Sequence, residues 1–316
     1  MGSIRAGLER ANAHFRQATE LYPRFGDAWY WQADLYQHIL TDPESSEEDL
    51  KMAAAENDRI LSAAADHAQT PQQKAFTNFT RAIFSSDWSN IKALLDQAIS
   101  LQKCNGPNWA ELLFPLGMEQ AGISYVETTF SCVGRIDSIL AYFRVVEVLL
   151  LTDQKARALA TADQAIAEYG QSTRPSNLRV KTLLALGRAP EAVEEALLVD
   201  RADPRFGQTL AISYAAAGMA EQANQEAEAW LALDGRDERA KLELLAYLNR
   251  TDEANALAAA IDQRPGGHMA LAGAILGCLC GAPFDLEATP NFKALIEQGE
   301  LQWPPLAPIK LPAPPG

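Results

Sequence analysis

Two cysteines one residue apart, Cys278 and Cys280 in "GCLCGAPFDLEATPNF", have the spacing that most suggests chemistry. A thiolate pair can hold zinc, yet a zinc site needs four ligands, and no second cysteine pair or nearby histidine supplies the rest. On one helix the two side chains would point to nearly opposite sides. They read as small buried hydrophobes in a last core helix from Gly266 to Cys280, stopped by Gly281 and Pro283. Cys104 and Cys132 differ, since each stands near an expected helix end, one hairpin apart, where Cα atoms could approach disulfide distance. That bridge requires an oxidising compartment; otherwise both are thiols.

His14, His38, His67 and His268 are scattered. The chain has no His-Glu-x-x-His helix, P-loop, Gly-rich dinucleotide turn or Gly-x-Ser-x-Gly elbow. It therefore reads as non-enzymatic, with no metal and no cofactor expected. A different charge pattern stands out: Arg174, Arg205 and Arg236 fall at expected helix starts, where the helix dipole favours Asp and Glu.

The elements that must position these residues are helices. Apolar residues recur with helical period nearly throughout, and no alternating β-branched stretch interrupts them, so the fold class is all-α. With 316 residues and 48% apolar content the chain can bury a substantial core. A net charge of -14 argues against a direct nucleic-acid partner or an anionic membrane surface, both of which need clustered Lys and Arg. The uncharged run between Arg264 and Asp285 reaches the minimum length of a bilayer span, but its five glycines, two prolines and His268 fit a buried small-residue helix, so no membrane insertion is expected.

The stronger signal is self-similarity. "GRAPEA", "GMAEQA" and "NRTDEA" align so that Ala192, Ala223 and Ala254 lie 31 residues apart, and "DQKARA" places Ala158 34 residues before Ala192. Four and seven positions beyond each alanine come further core-type residues, Ala162 and Ala165, Ala196 and Val199, Ala227 and Trp230, all on one helical stripe. The same stripe appears in Ala11, Phe15 and Ala18 and in Ile91, Leu95 and Ala98. Each unit exposes a face it cannot bury alone, so the units must stack.

This pattern resembles the tetratricopeptide repeat, closely over residues 4 to 38 and 136 to 263, though Gln32 stands in place of the usual leucine, and more weakly between 42 and 135. The resemblance implies a right-handed α-solenoid of stacked helix hairpins with a C-terminal capping helix, forming one domain over residues 1–316. Within it, residues 4–135 are irregular repeats, 136–263 regular repeats, 264–302 a terminal helix and cap, and 303–316 a Pro-rich tail that runs extended and either packs back or links. In the cap, Thr289 is expected as N-cap with Pro290 at the first helical position, and Phe292 and Leu295 face inward.

The resemblance also implies a groove lined by one face of each first helix. Projected from the alanine register, the groove receives Phe143 and Glu147, then Arg174, Asn177 and Lys181, then Arg205 and Gln208, then Arg236, Arg239 and Glu243. The N-terminal pair offers Asp27, Tyr30, Asp34 and Gln37. Cations interleaved with amides suit an acidic peptide, a C-terminal carboxylate or a partner protein.

"GAPFDLEATPNF" followed by "ELQWPPLAPIKLP", and "DWSNIKALLDQAISLQKCNGPNW" before Cys132, resemble the repeat-containing sensory region of bacterial membrane-anchored winged-helix transcription regulators. The leading expectation is an interaction scaffold that binds an extended peptide or partner protein; the alternative is the sensory ligand-binding module of such a regulator. The first residues lack the apolar core of a secretory leader, so the chain as written is expected in the cytoplasm, and in the periplasm if it is the excised end of an anchored regulator.

Overall fold

A computed structural model of the chain describes residues 2–42, 44–102, 108–133 and 138–312. It is all-α, with no strand among the described residues. The first part holds α1 (Gly2–Leu21), α2 (Gly26–Thr41), α3 (Glu47–Asp66), α4 (Pro71–Ile83) and α5 (Ile91–Ser100). A 3-10 helix, Ala110–Leu116, then precedes α6 (Glu119–Val133). The regular part comprises α7 (Ile139–Leu151), α8 (Lys155–Tyr169), α9 (Thr173–Ala185), α10 (Ala189–Ala196), α11 (Thr209–Ala216), α12 (Ala220–Leu231), α13 (Glu238–Tyr247) and α14 (Thr251–Asp262). Two helices close the chain, α15 (Gly267–Cys278) and α16 (Pro290–Gln298).

The 31- and 34-residue spacing corresponds to one recurring turn. Asp153, Gly187, Gly218 and Asn249 all have positive φ, 57°, 71°, 74° and 55°, and each ends an odd-numbered helix. At Gly187 the residue's own N–H donates to Leu184 O at 3.0 Å and the next, Arg188, to Leu183 O at 2.9 Å. The other three turns repeat both bonds, with Gln154 to Leu149, Met219 to Tyr214 and Arg250 to Leu245. These are Schellman caps, which satisfy the last carbonyls of one helix and reverse the chain into the next. Only Gly, Asn or Asp takes the left-handed conformation readily, which is why those types recur.

Behind each turn the even-numbered helices bury the alanine stripe. Ala158, Ala192, Ala223 and Ala254 are all buried, with Ala162, Ala165, Ala196, Ala227 and Trp230 beside them. Each helix from α7 to α12 packs on its chain neighbour, and α7, α9, α11, α13 and α15 also pack each on the next odd one. Gln32 has a physical reason for replacing an apolar residue: it is buried, and its Nε2 donates to Thr19 Oγ1 at 3.0 Å and Ala28 O at 3.3 Å, tying α2 to α1.

The C-terminal elements fold back on the first half. α15 lies against the 3-10 helix and α2. The tail donates from Gln302 N to Leu116 O (2.9 Å) and from Leu306 N to Pro115 O (2.8 Å), serving carbonyls of a segment that a proline interrupts. Ile309 N donates to Leu279 O at 3.0 Å, so the Pro-rich tail packs back. Phe292 gathers Phe284, Trp303 and Trp88 around it, with centroids 6.1 to 6.5 Å away.

Three expectations here are corrected. α15 ends at Cys278, because Leu279 turns left-handed at φ 51°. That turn brings Cys278 and Cys280 to a Cα separation of 5.0 Å, and they form a disulfide instead of pointing apart as two buried thiols. Thr289 precedes α16 but makes no side-chain cap. The cap comes from Asp262 at the end of α14, whose carboxylate accepts Asn291 N at 2.9 Å and Phe292 N at 2.8 Å. A charged acceptor suits the dipole of that helix start. The expected Cys104–Cys132 pairing lies outside the described residues.

Candidate binding site

α7, α9 and α13 meet α15 and the 3-10 helix around a cavity of about 400 Å³. α7 contributes Phe143, Arg144 and Glu147, and α9 contributes Arg174 and Lys181. Arg205 and Phe206 enter from the turn before α11, and Asp237, Arg239 and Glu243 from the start and body of α13. Glu111 and Leu112 line the side of the 3-10 helix, beside Trp109. On α15, Gly273 lets the helix close over the space, since a Cβ there would stand 2.8 Å from Arg239 Cδ, whereas one on Gly277 would meet nothing within 4 Å.

Most charges in the cavity already have partners. Arg144 pairs with Glu111 at 3.1 Å and donates to Tyr125 OH at 2.9 Å. Lys181 donates to the Gly277 carbonyl and lies 3.7 Å from Glu243, whose other oxygen accepts Gln208 Nε2 at 3.0 Å. Arg239 forks onto Asp237 at 2.6 and 3.0 Å. Burial would raise the Asp237 carboxyl, but the Arg239 guanidinium outweighs it and holds Asp237 below the usual carboxylate range.

Two guanidiniums remain at the mouth. Arg174 is exposed and has no ion-pair partner among the described residues, and Arg205 reaches only Asp237, at 3.9 Å, which Arg239 already occupies. Below them the rings of Phe143 and Phe206 stack 6.0 Å apart, 19° from parallel. Positive charge over an aromatic wall is chemistry for a carboxylate on an apolar body.

Of the groove residues projected from the sequence, Phe143, Glu147, Arg174, Lys181, Arg205, Arg239 and Glu243 come together here. Seven others do not line it, Asp27, Asp34 and Gln37 of the N-terminal pair among them. Asn177 is buried and donates to Thr209 Oγ1 at 2.8 Å, and Gln208 is spent on Glu243. Arg236 donates to Ala202 O at 2.7 Å and covers the Trp230 ring, 5.7 Å from its centroid. Tyr30 sits between α2 and α4, its hydroxyl 3.2 Å from Thr80 Oγ1. Sequence reasoning missed Glu111, Arg144, Phe206 and Asp237. Arg144 follows Phe143 on the same helix, and Asp237 precedes a cation-bearing helix start, a local signal; Glu111 lies in the irregular middle, where no register reaches it.

Among the described residues no cluster of His, Cys, Asp and Glu could hold a metal ion, and no helix is long and apolar enough to cross a membrane. No protein-family model matches the chain, and no curated protein matches it either.

Proposed function

We propose that the chain is a non-enzymatic binding module, a right-handed tetratricopeptide-like α-solenoid whose first helices present one compact site for an acidic ligand. Support for the solenoid comes from the four hairpins with a shared turn and from the packing of each odd-numbered helix on the next from α7 to α15. The ligand reading is carried by Arg174 and Arg205, two guanidiniums left at the mouth of an aromatic-walled cavity without a committed counter-ion. About 400 Å³ is in the range of small-molecule sites.

α15 bounds the cavity on one side, which favours a compact ligand over a long run of peptide backbone. The reading therefore leans to a sensory ligand-binding module of a transcriptional regulator. A scaffold that captures the acidic end of a partner protein is the second reading, favoured by Leu140, which is 59% exposed beside the mouth and would meet the residues before a terminal carboxylate. Replacing Arg174 and Arg205 with Glu should abolish binding of benzoate and of acidic-tailed peptides by the whole chain. Unchanged affinity for both would remove the basis of either reading.

A further inference from the structure

Glu147 is a carboxyl on the cavity wall that nothing in the chain engages. It is 8% exposed, and no hydrogen bond or ion pair engages it among the described residues. Its neighbours are all occupied, Arg144 with Glu111, and Lys181 with Gly277 and Glu243. A buried carboxyl without a partner is costly, so one left at a cavity wall points to an occupant that completes it.

The surroundings decide the sign of that occupant. Facing Glu147 are Arg144 on its own helix, Lys181 from α9, Glu111 from the 3-10 helix and, behind Lys181, Glu243 from α13; α15 presents no charge to the cavity. Counting the described lining, five cations stand against three carboxylates besides Glu147. An ammonium on the ligand would meet that surplus of positive charge, and a second acid would be drawn to it.

We infer that the occupant is a compact dicarboxylate, one carboxylate held by Arg174 and Arg205 at the mouth and the other sharing a single proton with Glu147 between Arg144 and Lys181. The inference rests on the acid-binding reading above and specifies its ligand. The Phe143 and Phe206 rings supply the wall for the spacer. Burial pushes the Glu147 carboxyl up to about 8, with Lys181 and Arg144 opposing and Glu111 adding to the rise. At neutral pH it thus holds the proton that two apposed carboxyl groups must share.

The test is calorimetric titration of the whole chain with succinate through suberate, phenylsuccinate and isophthalate, each beside its monoamide, across neutral to alkaline pH. The best diacid should bind at least about tenfold tighter than its monoamide at neutral pH, and that advantage should fall about tenfold per unit above pH ~8, because binding then requires uptake of a proton. Glu147→Gln keeps an N–H donor, so it should retain a diacid advantage with no pH dependence, whereas Glu147→Leu should lose it. Equal binding of diacids and monoamides, a pH-independent advantage in the unsubstituted chain, or tighter binding of phenylalanine than of phenylsuccinate would overturn the inference. Monoacid binding that depends on Arg174 and Arg205 but gains nothing from a second acid would leave the acid-binding site standing; absence of binding by any acid would sink both.

Discussion

The ammonium of Lys181 donates to the carbonyl of Gly277, joining a repeat helix to the last turn of α15. Gly277 lies at the C-terminal end of that helix, where backbone carbonyls lack intrahelical partners and a cation is favoured. The same ammonium faces Glu243, and both side chains are nearly buried. Lys181→Met would leave the Glu243 carboxylate buried with Gln208 alone, a loss of about 3 kcal/mol by the usual cost of breaking a buried pair. Urea denaturation checks this, and Lys181→Met combined with Glu243→Gln should cost less than the sum of the single changes.

Asp262 replaces the cap that the sequence suggested at Thr289, and it does so across 29 residues. Removing it in Asp262→Ala should destabilise the chain by about 1 to 2 kcal/mol, the range for a lost N-cap with charge assistance. Amide exchange at Asn291 and Phe292 should accelerate. Thr289→Val should be mild by comparison, and a larger loss there would place the cap at the wrong residue.

The repeated left-handed turn makes opposite forecasts for two of its positions. Gly187 has open space where a Cβ would go, so Gly187→Ala should cost about 1 to 2 kcal/mol from backbone conformation alone. Asp153 and Asn249 already carry that strain, and Asp153→Gly should be neutral or stabilising by up to about 1 kcal/mol. Thermal midpoints of the two variants decide it.

Stability should respond to pH through two buried groups with opposite signs. His268, held at Ile83 O and pushed by burial down to about 4 from 6.5, binds fewer protons folded than unfolded, so stability rises with pH across that window. Glu147, raised from 4.5 to about 8, binds more protons folded, so its contribution is full below 4.5 and is lost as pH rises through about 8. Between 6.5 and 8 only the second effect operates, and there Glu147→Gln should flatten a falling stability curve measured by urea titration. A slope identical in both proteins would contradict the unpartnered state of Glu147.

Gly277 gives a way to fill the cavity without disturbing its charges. A helical glycine with open space at its Cβ should accept Ala with a gain of up to about 1 kcal/mol. Gly277→Leu should fold and lose acid binding, since its side chain enters the cavity that Gly277 lines.

The hairpins from 136 to 263 were legible because one glycine, asparagine or aspartate and one alanine stripe mark each unit, and those residues do one physical job each time. The site was half legible for the same reason: the register carried Arg174, Lys181 and Arg205 to a common space, but a period cannot say which side chains turn inward to one another. Asn177 and Gln208 bond within the chain, and Arg236 lies on Trp230, because their nearest partners are set by loops and by the neighbouring helix. The closure by α15, the cap from Asp262 and the Cys278–Cys280 bridge depend on contacts or turns that periodicity does not encode.

The most direct test is calorimetric titration of phenylsuccinate at neutral pH into the unsubstituted chain and into the variant carrying Arg174→Glu and Arg205→Glu. Saturable binding that weakens about a hundredfold or more in the variant, from the loss of two charge-assisted contacts, is the predicted result. Affinities within about twofold of each other, by the same conversion of fold-change to free energy, would contradict the assignment of this cavity as an acid-binding site.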